Sequence, residues 1–374
     1  MSSDPHGAPV LTQPTPLRIA FAIENHLGHR AVAANLRAAL HGKPGIEPIW
    51  IPIDATGNGC IDHVPRLRDK HALVLGLSAR RGLRRAQRDG TIDVALMHTQ
   101  RMAHLLVGWM RRTPTFLSID GTPLLLDRYR AAGSGAANKT GGRYAVIRDA
   151  VHRRTYLAAR GVICMSELVR RTIVDEYRVP SERTLVLLPG VDVERWRPSE
   201  RRTADGVVRL LFIGGDFDRK GGPLLVRWAR ENPHLPCIVD IVTERAVSVP
   251  ANVRVHLGLK PNDPRLQQLM SNADLFVLPT LADMSPWVVA EAKASGTPVL
   301  TTSVGALPEM VRDGHDGWLL EPGDYSALER KLHTLIADPA MLGEFGARAR
   351  ADAVLRLNAA QNAAQLLDFM RKHR

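Results

Sequence analysis

The sequence predicts an α/β protein of two doubly wound parallel-sheet domains that face a cleft. Three observations carry that expectation. Short apolar runs alternate with helical segments along most of the chain, the pattern of strands buried on both faces of a parallel sheet. One polar, arginine-rich stretch, residues 194–206, divides the alternation into two sets and is read as the interdomain linker. The length, 374 residues, exceeds what one ordinary core holds and suits two.

In chain order, residues 17–23 (Leu-Arg-Ile-Ala-Phe-Ala-Ile) form a first buried strand. A turn from Glu24 to His29 leads to a helix over 31–40, apolar at Val32, Leu36 and Leu40, and then to a strand at 48–53. This β-loop-α-β opening is that of a doubly wound sheet. Further strands are predicted at 92–97, 114–119, 161–165 and 184–188. The second set runs through 207–213, 237–242, 253–257, 274–278 and 298–301, and helices over 340–353 and 358–372 close the chain. The domains are therefore drawn at 1–192 and 193–355, with a terminal helix, 356–374, packing back on the first.

Composition narrows the function. Hydrophobic residues make up 45% and charged residues 24%, a globular balance. No apolar run approaches the ~18 residues of a membrane-spanning helix. The first 16 residues are Pro-rich and polar, without the basic start and apolar core of a secretory signal. Cys60, Cys164 and Cys237 are far apart with no metal-ligand spacing, which suits reduced thiols in a cytoplasmic protein. The formal charge of +12 points to an anionic membrane or a phosphorylated substrate, or only to an arginine-rich composition. Aromatics at 5% and the lack of any zinc-finger or RNP-type pattern argue against nucleic acid.

Chemistry concentrates in residues 273–298. A buried strand ends at Pro279; Ser285 is a good N-cap, Pro286 suits the first helical position, and Gly296 suits the left-handed residue after the last turn. A short helix over 286–295 thus starts at the carboxyl end of a parallel strand, where free amides and the helix dipole favour a phosphate. Asp283 and Glu291 then flank one ligand, one able to accept from a sugar and the other from ribose hydroxyls; the plainer reading is a capping aspartate and a solvated glutamate. In residues 212–222 a strand ends in Gly214 and Gly215, passes Arg219 and Lys220, and enters a helix at Pro223. Glycines let the backbone approach a ligand and the two cations suit a diphosphate; a turn with solvated charges is the alternative.

From Arg160 to Ala353 the chain resembles the family 4 glycosyltransferases. Asp283 to Glu291, followed by Glu-Ala-x-Ala-x-Gly-x-Pro-Val, is similar to the family's E-x7-E element, with Asp283 in place of its first glutamate and Pro286 where glycine is frequent. Ser166-Glu167, Pro189-Gly190-Val191-Asp192, Arg219-Lys220-Gly221, Gly305-Ala306-Leu307-Pro308-Glu309 and Asp313-Gly314-His315-Asp316-Gly317 resemble its other motifs in the same order. The first half matches more loosely, through Gly28-His29, His98 and Ser118-Ile119-Asp120-Gly121.

The resemblance implies the GT-B fold, with two Rossmann-like domains, and a retaining, metal-independent transfer from a nucleotide-diphosphate sugar. It assigns Asp283, Glu291, Lys220, Arg219, Asp120 and His98 to catalysis. Donor binding falls to Gly28, Gly214, Gly215, Arg219, Lys220, Ser285, Trp287, Val288 and Glu291. No metal or cofactor is expected. The implied partners are the donor and a glycan, lipid-linked or small-molecule acceptor. Arg80, Arg81, Arg84, Arg85 and Arg88, at helical spacing, suggest either solvated surface or peripheral contact with an anionic membrane. A catalytically weak nucleotide-sugar-binding protein is the alternative, motivated by Asp283.

Three patterns are set aside. Residues 133–140 approach a phosphate-binding P-loop, but Asn138 replaces the required glycine. Residues 76–80 lack the last glycine of a nucleophile elbow. Asp216-Phe217-Asp218 spells a D-x-D triplet beside cations that suffice for the same electrostatic task.

Overall fold

The computed structural model describes residues 15–25, 27–54, 71–134, 143–199, 206–260 and 263–374. Cys60 and most of the P-loop-like segment lie outside them.

Twelve strands among these residues form two six-stranded sheets. The first holds β1 (Leu17–Glu24), β2 (Ile46–Ile53), β3 (Val94–His98), β4 (Thr115–Ile119), β5 (Gly161–Cys164) and β6 (Thr184–Val186), in the order β2-β1-β3-β4-β5-β6. The second holds β7 (Val208–Ile213), β8 (Cys237–Thr243), β9 (Val253–Leu257), β10 (Leu275–Leu278), β11 (Val299–Thr302) and β12 (Gly317–Leu320), in the order β12-β11-β10-β7-β8-β9. Every pairing is parallel. Parallel neighbours require a crossover between them, and the helices supply it.

Each sheet reverses its winding once. In the first the reversal lies between β1 and β3, in the second between β7 and β10. Loops leaving adjacent strands there diverge to opposite faces and leave a crevice at the carboxyl ends. Both crevices open on the same cleft.

The cores explain the layering. One cluster joins Leu75, Ala79 and Leu83 of the helix His71–Arg88 with Met102, Tyr156 and the inward side chains of β3 and β4. A second, on the opposite face of that sheet, joins Phe21, Leu96 and Phe116 to Ala363, Leu366, Leu367 and Met370 of the terminal helix Ala359–His373. The third belongs to the second lobe. The last helix therefore seals the first sheet after the chain has completed the second lobe. Its entry is fixed by hydrogen bonds from Val191 N to Leu357 O (2.8 Å) and from Ala359 N to Val191 O (2.9 Å).

The stretch 194–206 is not wholly linker. Trp196 is 1% exposed in the second lobe's core, and Arg350 Nη1 donates to the carbonyls of Val193, Trp196 and Ala294 (2.7–2.8 Å). A tryptophan in a polar context buries enough apolar surface to anchor its turn. Strand β12 was not anticipated. Four residues after a glycine turn are too short to read by periodicity.

Candidate active site

A cavity of about 1010 Å³ lies between the lobes, lined by the carboxyl ends of both sheets. Eleven of the twelve sequence-predicted site residues line it: His98 and Asp120 from the first lobe; Gly214, Gly215, Arg219, Lys220, Asp283, Ser285, Trp287, Val288 and Glu291 from the second. Gly28, the twelfth, belongs to the first turn of the helix Leu27–Leu40.

Two loops of the second lobe are knit into one seat. After β7, Lys220 N donates to Asp216 O (3.0 Å), and Gly221 takes a positive φ of 82°. A side chain on Gly221 would collide with the carbonyl of Pro279, so only glycine lets this loop close on the end of β10. Leu281 N then donates to Arg219 O (2.9 Å), joining the loops. Behind them Ala306 N donates to Met284 O (2.8 Å), and Gly305, at φ 56°, lies where a side chain would strike the carbonyl of Asp283. The sequence motifs around Gly221 and Gly305 thus hold the strand-to-helix turn in shape.

That turn corrects one expectation. The helix spans Trp287–Ala294, with extended Pro286 as its cap residue, so Ser285 is not the N-cap. Pinning of Met284 from behind leaves Ser285 one place short of the helix. Its hydroxyl is buried without a partner. The first amides of a helix lack intrahelical acceptors, and here that of Val289 is met by Pro286 O (3.1 Å). The opening amides and the Ser285 hydroxyl form an anion seat beside Lys220. At the other end, Thr297 N donates to Ala292 O and Gly296 N to Lys293 O (both 3.0 Å), a Schellman closure with Gly296 at φ 71°.

The charged groups divide. Lys220 Nζ donates to Asp283 Oδ2, with both side chains largely buried. Arg219 turns aside: its Nε donates to Asp216 Oδ2 (2.8 Å), and Asp218 pairs with Arg245 (2.7 Å). The D-x-D triplet is thus occupied by arginines. Glu291 is 9% exposed, which overturns the solvated reading. Burial, only partly offset by Arg195, pushes its carboxyl up to about 7.

In the first lobe, His98 ends β3 and is 1% exposed. Its Nδ1 faces Ser118 O at 3.1 Å, so the proton sits on Nδ1 and Nε2 is the acceptor nitrogen; Nε2 is buried with no partner. Burial lowers its pKa to about 3, helped by the neighbouring His29, so the ring is neutral. His29 stacks edge-on against His98 at 4.6 Å and lies 3.4 Å from Glu24, whose other oxygen accepts from His71 at 2.9 Å. Burial raises the Glu24 carboxyl, but these two histidines outweigh it and hold it at about 2. Burial raises the carboxyl of Asp120, against the opposing pull of His29.

Sequence reasoning missed several contributors. Tyr129 reaches across the cleft, its hydroxyl accepting from Gly305 N at 2.9 Å. Thr243 and Glu244, at the end of β8, also line the cavity, and no motif marks them. Lys293, two residues after Glu291, is fully buried with Nζ 2.6 Å from Asp352 and 3.0 Å from Asp316, and fixes the helix that carries Glu291.

Residues 28–195 match the profile of Glycosyltransferase Family 4 and residues 243–352 that of Glycosyl transferases group 1. The D-inositol 3-phosphate glycosyltransferase of Streptomyces bingchenggensis is 31% identical over 224 residues, 51% of this chain and 48% of that one. The alpha-maltose-1-phosphate synthase of Mycolicibacterium smegmatis is 28% identical over 269 residues, 63% and 69% of the two chains. The chain spans about half the length of the first curated relatives it matches. Among solved structures, sucrose-phosphate synthase from Thermosynechococcus elongatus superposes with a TM-score of 0.75 at 18% identity, covering 95% of this chain and 98% of the other. Anabaena HepE in complex with UDP-glucose gives 0.68 at 15% identity, covering 95% and 100%. At such identity the likeness speaks to the fold, that of the GT-B glycosyltransferases.

Proposed function

The chain belongs to the family 4, group 1 glycosyltransferases, and from that premise we propose that it moves a sugar from a nucleotide-diphosphate sugar to an acceptor hydroxyl, with retention and without a metal. The observation that carries this is the pairing of an anion seat, the opening amides of Trp287–Ala294 beside Lys220, with an uncharged histidine and a carboxylate across the cleft. The UDP-glucose complex of the fold neighbour supports a diphosphate donor.

The donor diphosphate rests on that seat. As the bond from sugar carbon to phosphate oxygen breaks, charge grows on the leaving oxygen, and Lys220 and the helix amides stabilise it more in the transition state than before it. Arg219 contributes once released from Asp216. The acceptor oxygen attacks from the side the phosphate leaves, and its proton passes to the departing phosphate oxygen. Glu291 accepts from the ribose hydroxyls and Asp283 from hydroxyls of the donor sugar, while His98 Nε2 faces the acceptor side. Closing the lobes excludes water.

The partner side of the proposal is a cytoplasmic, anionic membrane face. Arg80, Arg81, Arg84, Arg85 and Arg88 are all exposed on His71–Arg88. The helix Arg143–Ala158, on the same sheet face, exposes Val146 (70%) and Ile147 (63%). Among the described residues no helix is long and apolar enough to cross a membrane.

The test is a thermal-shift screen of nucleoside diphosphates and nucleotide sugars, followed by donor turnover in chelator. Stabilisation with sugar release or transfer supports the enzyme. Saturable binding without turnover favours the weakly catalytic binding protein that the short Asp283 suggests, and no binding at all rejects both.

A further inference from the structure

The two walls of the cleft differ in charge. Among the described residues, the lysines and arginines that line it, Arg219, Lys220 and Lys260, all belong to the second lobe, and the first lobe's His29 is matched by Glu24 at 3.4 Å. The first-lobe wall brings Asp120, His98 and His29 with the apolar or aromatic side chains of Leu126, Tyr129 and Met165. Its polar groups are mainly acceptors. Asp120 presents a carboxylate and His98 an unprotonated Nε2 without a partner. Tyr129 already accepts from Gly305 N and keeps one proton to donate.

We infer that the acceptor is an uncharged hydroxyl compound, a polyol or an unphosphorylated glycan, held against Asp120 and His98; this rests on the glycosyltransferase reading above. Sugar hydroxyls donate hydrogen bonds, which is what this wall lacks and accepts. A phosphate monoester carries close to two negative charges and only acceptor oxygens at neutral pH. It would meet two acidic side chains, Asp120 and Asp283, which line the cavity and lie near enough to feel one another. Arg101 acts on Asp120 from outside the cavity lining. Arg219 and Lys220 serve the diphosphate seat in the second lobe. The wall's apolar side chains cover the carbon face that a polyol ring offers between its hydroxyls.

The experiment uses the full chain saturated with the nucleoside diphosphate that stabilises it best. Matched probes, myo-inositol against D-inositol 3-phosphate and glucose against glucose 1-phosphate, are compared by titration calorimetry and as acceptors with the matching donor. The expected result is at least a ~10-fold preference for the unphosphorylated member of a pair, since like-charge contacts cost several kcal/mol when desolvated. Asp120→Lys should reverse the preference, while the affinity for the nucleoside diphosphate changes less than ~3-fold. Equal or tighter capture of the phosphorylated members by the wild type overturns the acceptor class. Failure of every nucleoside diphosphate to bind instead overturns the reading beneath it.

Discussion

Lys220 and Asp283 are paired across two loops of the second lobe, the lysine's ammonium donating to the carboxylate. The cation meant for a diphosphate and the carboxylate meant for a sugar thus neutralise one another in the unliganded cleft. A donor that brings both groups at once replaces one ion pair with two better-matched contacts. The shorter aspartate suits this pairing, because its carboxylate stays beside the loop that carries Lys220.

Lys220→Ala should lower turnover by ~10²-fold or more, the usual effect of removing one charge-stabilising group. Asp283→Asn should lower transfer with the nucleoside diphosphate affinity within ~3-fold, since its contact is with the sugar. Steady-state kinetics and calorimetry on the two variants check this. Turnover of Lys220→Ala within a few-fold of wild type removes the role assigned to the lysine.

Glu291 predicts a pH signature. Its folded pKa of about 7 lies above the ordinary 4.5. A carboxyl raised on folding favours the native state most where it is protonated in both states, below about 4.5, and that advantage is lost as pH climbs through 7. The whole effect is about 3 kcal/mol at 1.36 kcal/mol per unit. Glu291→Gln should therefore gain stability relative to wild type between pH 4.5 and 8, measured by denaturant titration. A stability difference that stays flat across that range would contradict the burial assigned here.

Much of this was legible in the sequence, for a physical reason. Parallel strands buried on both faces must be short apolar runs, and strand-to-helix turns that approach a ligand need glycine, so Phe212–Gly222 and Ala273–Pro298 announced themselves. Side-chain pairing did not. Nothing in spacing says that Lys220 meets Asp283 rather than solvent, or that Arg219 turns to Asp216. Ser285 looked like a cap because its residue type suits one; a contact from Met284 to Ala306, distant in the chain, moved the helix start by one place. The helix Arg143–Ala158 is apolar on its exposed side as well as its buried one, so its periodicity names no single face.

Lys293 tests how the site is held. Its ammonium is fully buried between Asp316 and Asp352. Removing one partner of a buried ionic cluster leaves uncompensated charge, at a cost of about 3–5 kcal/mol. Lys293→Met should lower the melting temperature clearly and weaken nucleotide binding through the displaced helix Trp287–Ala294. A variant as stable as wild type would show that the buried charges are compensated elsewhere.

Membrane contact is tested with vesicles. The protein should co-sediment with anionic liposomes at physiological salt and be released as salt rises. Changing Arg80, Arg84, Arg85 and Arg88 to Glu should abolish retention with no change in nucleotide binding. Equal recovery on neutral and anionic vesicles would discard the idea.

Glu309 joins the lobes. Its two carboxylate oxygens accept from the amides of Glu167 (2.6 Å) and Leu168 (2.9 Å), while Ser166 Oγ accepts from Val169 N (3.1 Å). The opening amides of the first-lobe helix Glu167–Arg171 are thus satisfied by a second-lobe side chain and by the local cap. Opening the cleft at this point exposes those amides and a carboxylate that no longer has them, so the bond favours the closed arrangement. Hydrogen bonds to a charged group contribute about 1.5–3 kcal/mol each, enough to shift a two-state opening by tenfold or more. Glu309→Ala should lower the melting temperature and raise the KM for acceptor more than the Kd for nucleotide, because the diphosphate seat lies wholly within the second lobe. Glu309→Gln, which keeps one acceptor oxygen, should fall between the two. If Glu309→Ala leaves both the melting temperature and the acceptor KM unchanged, the contact does not hold the lobes together.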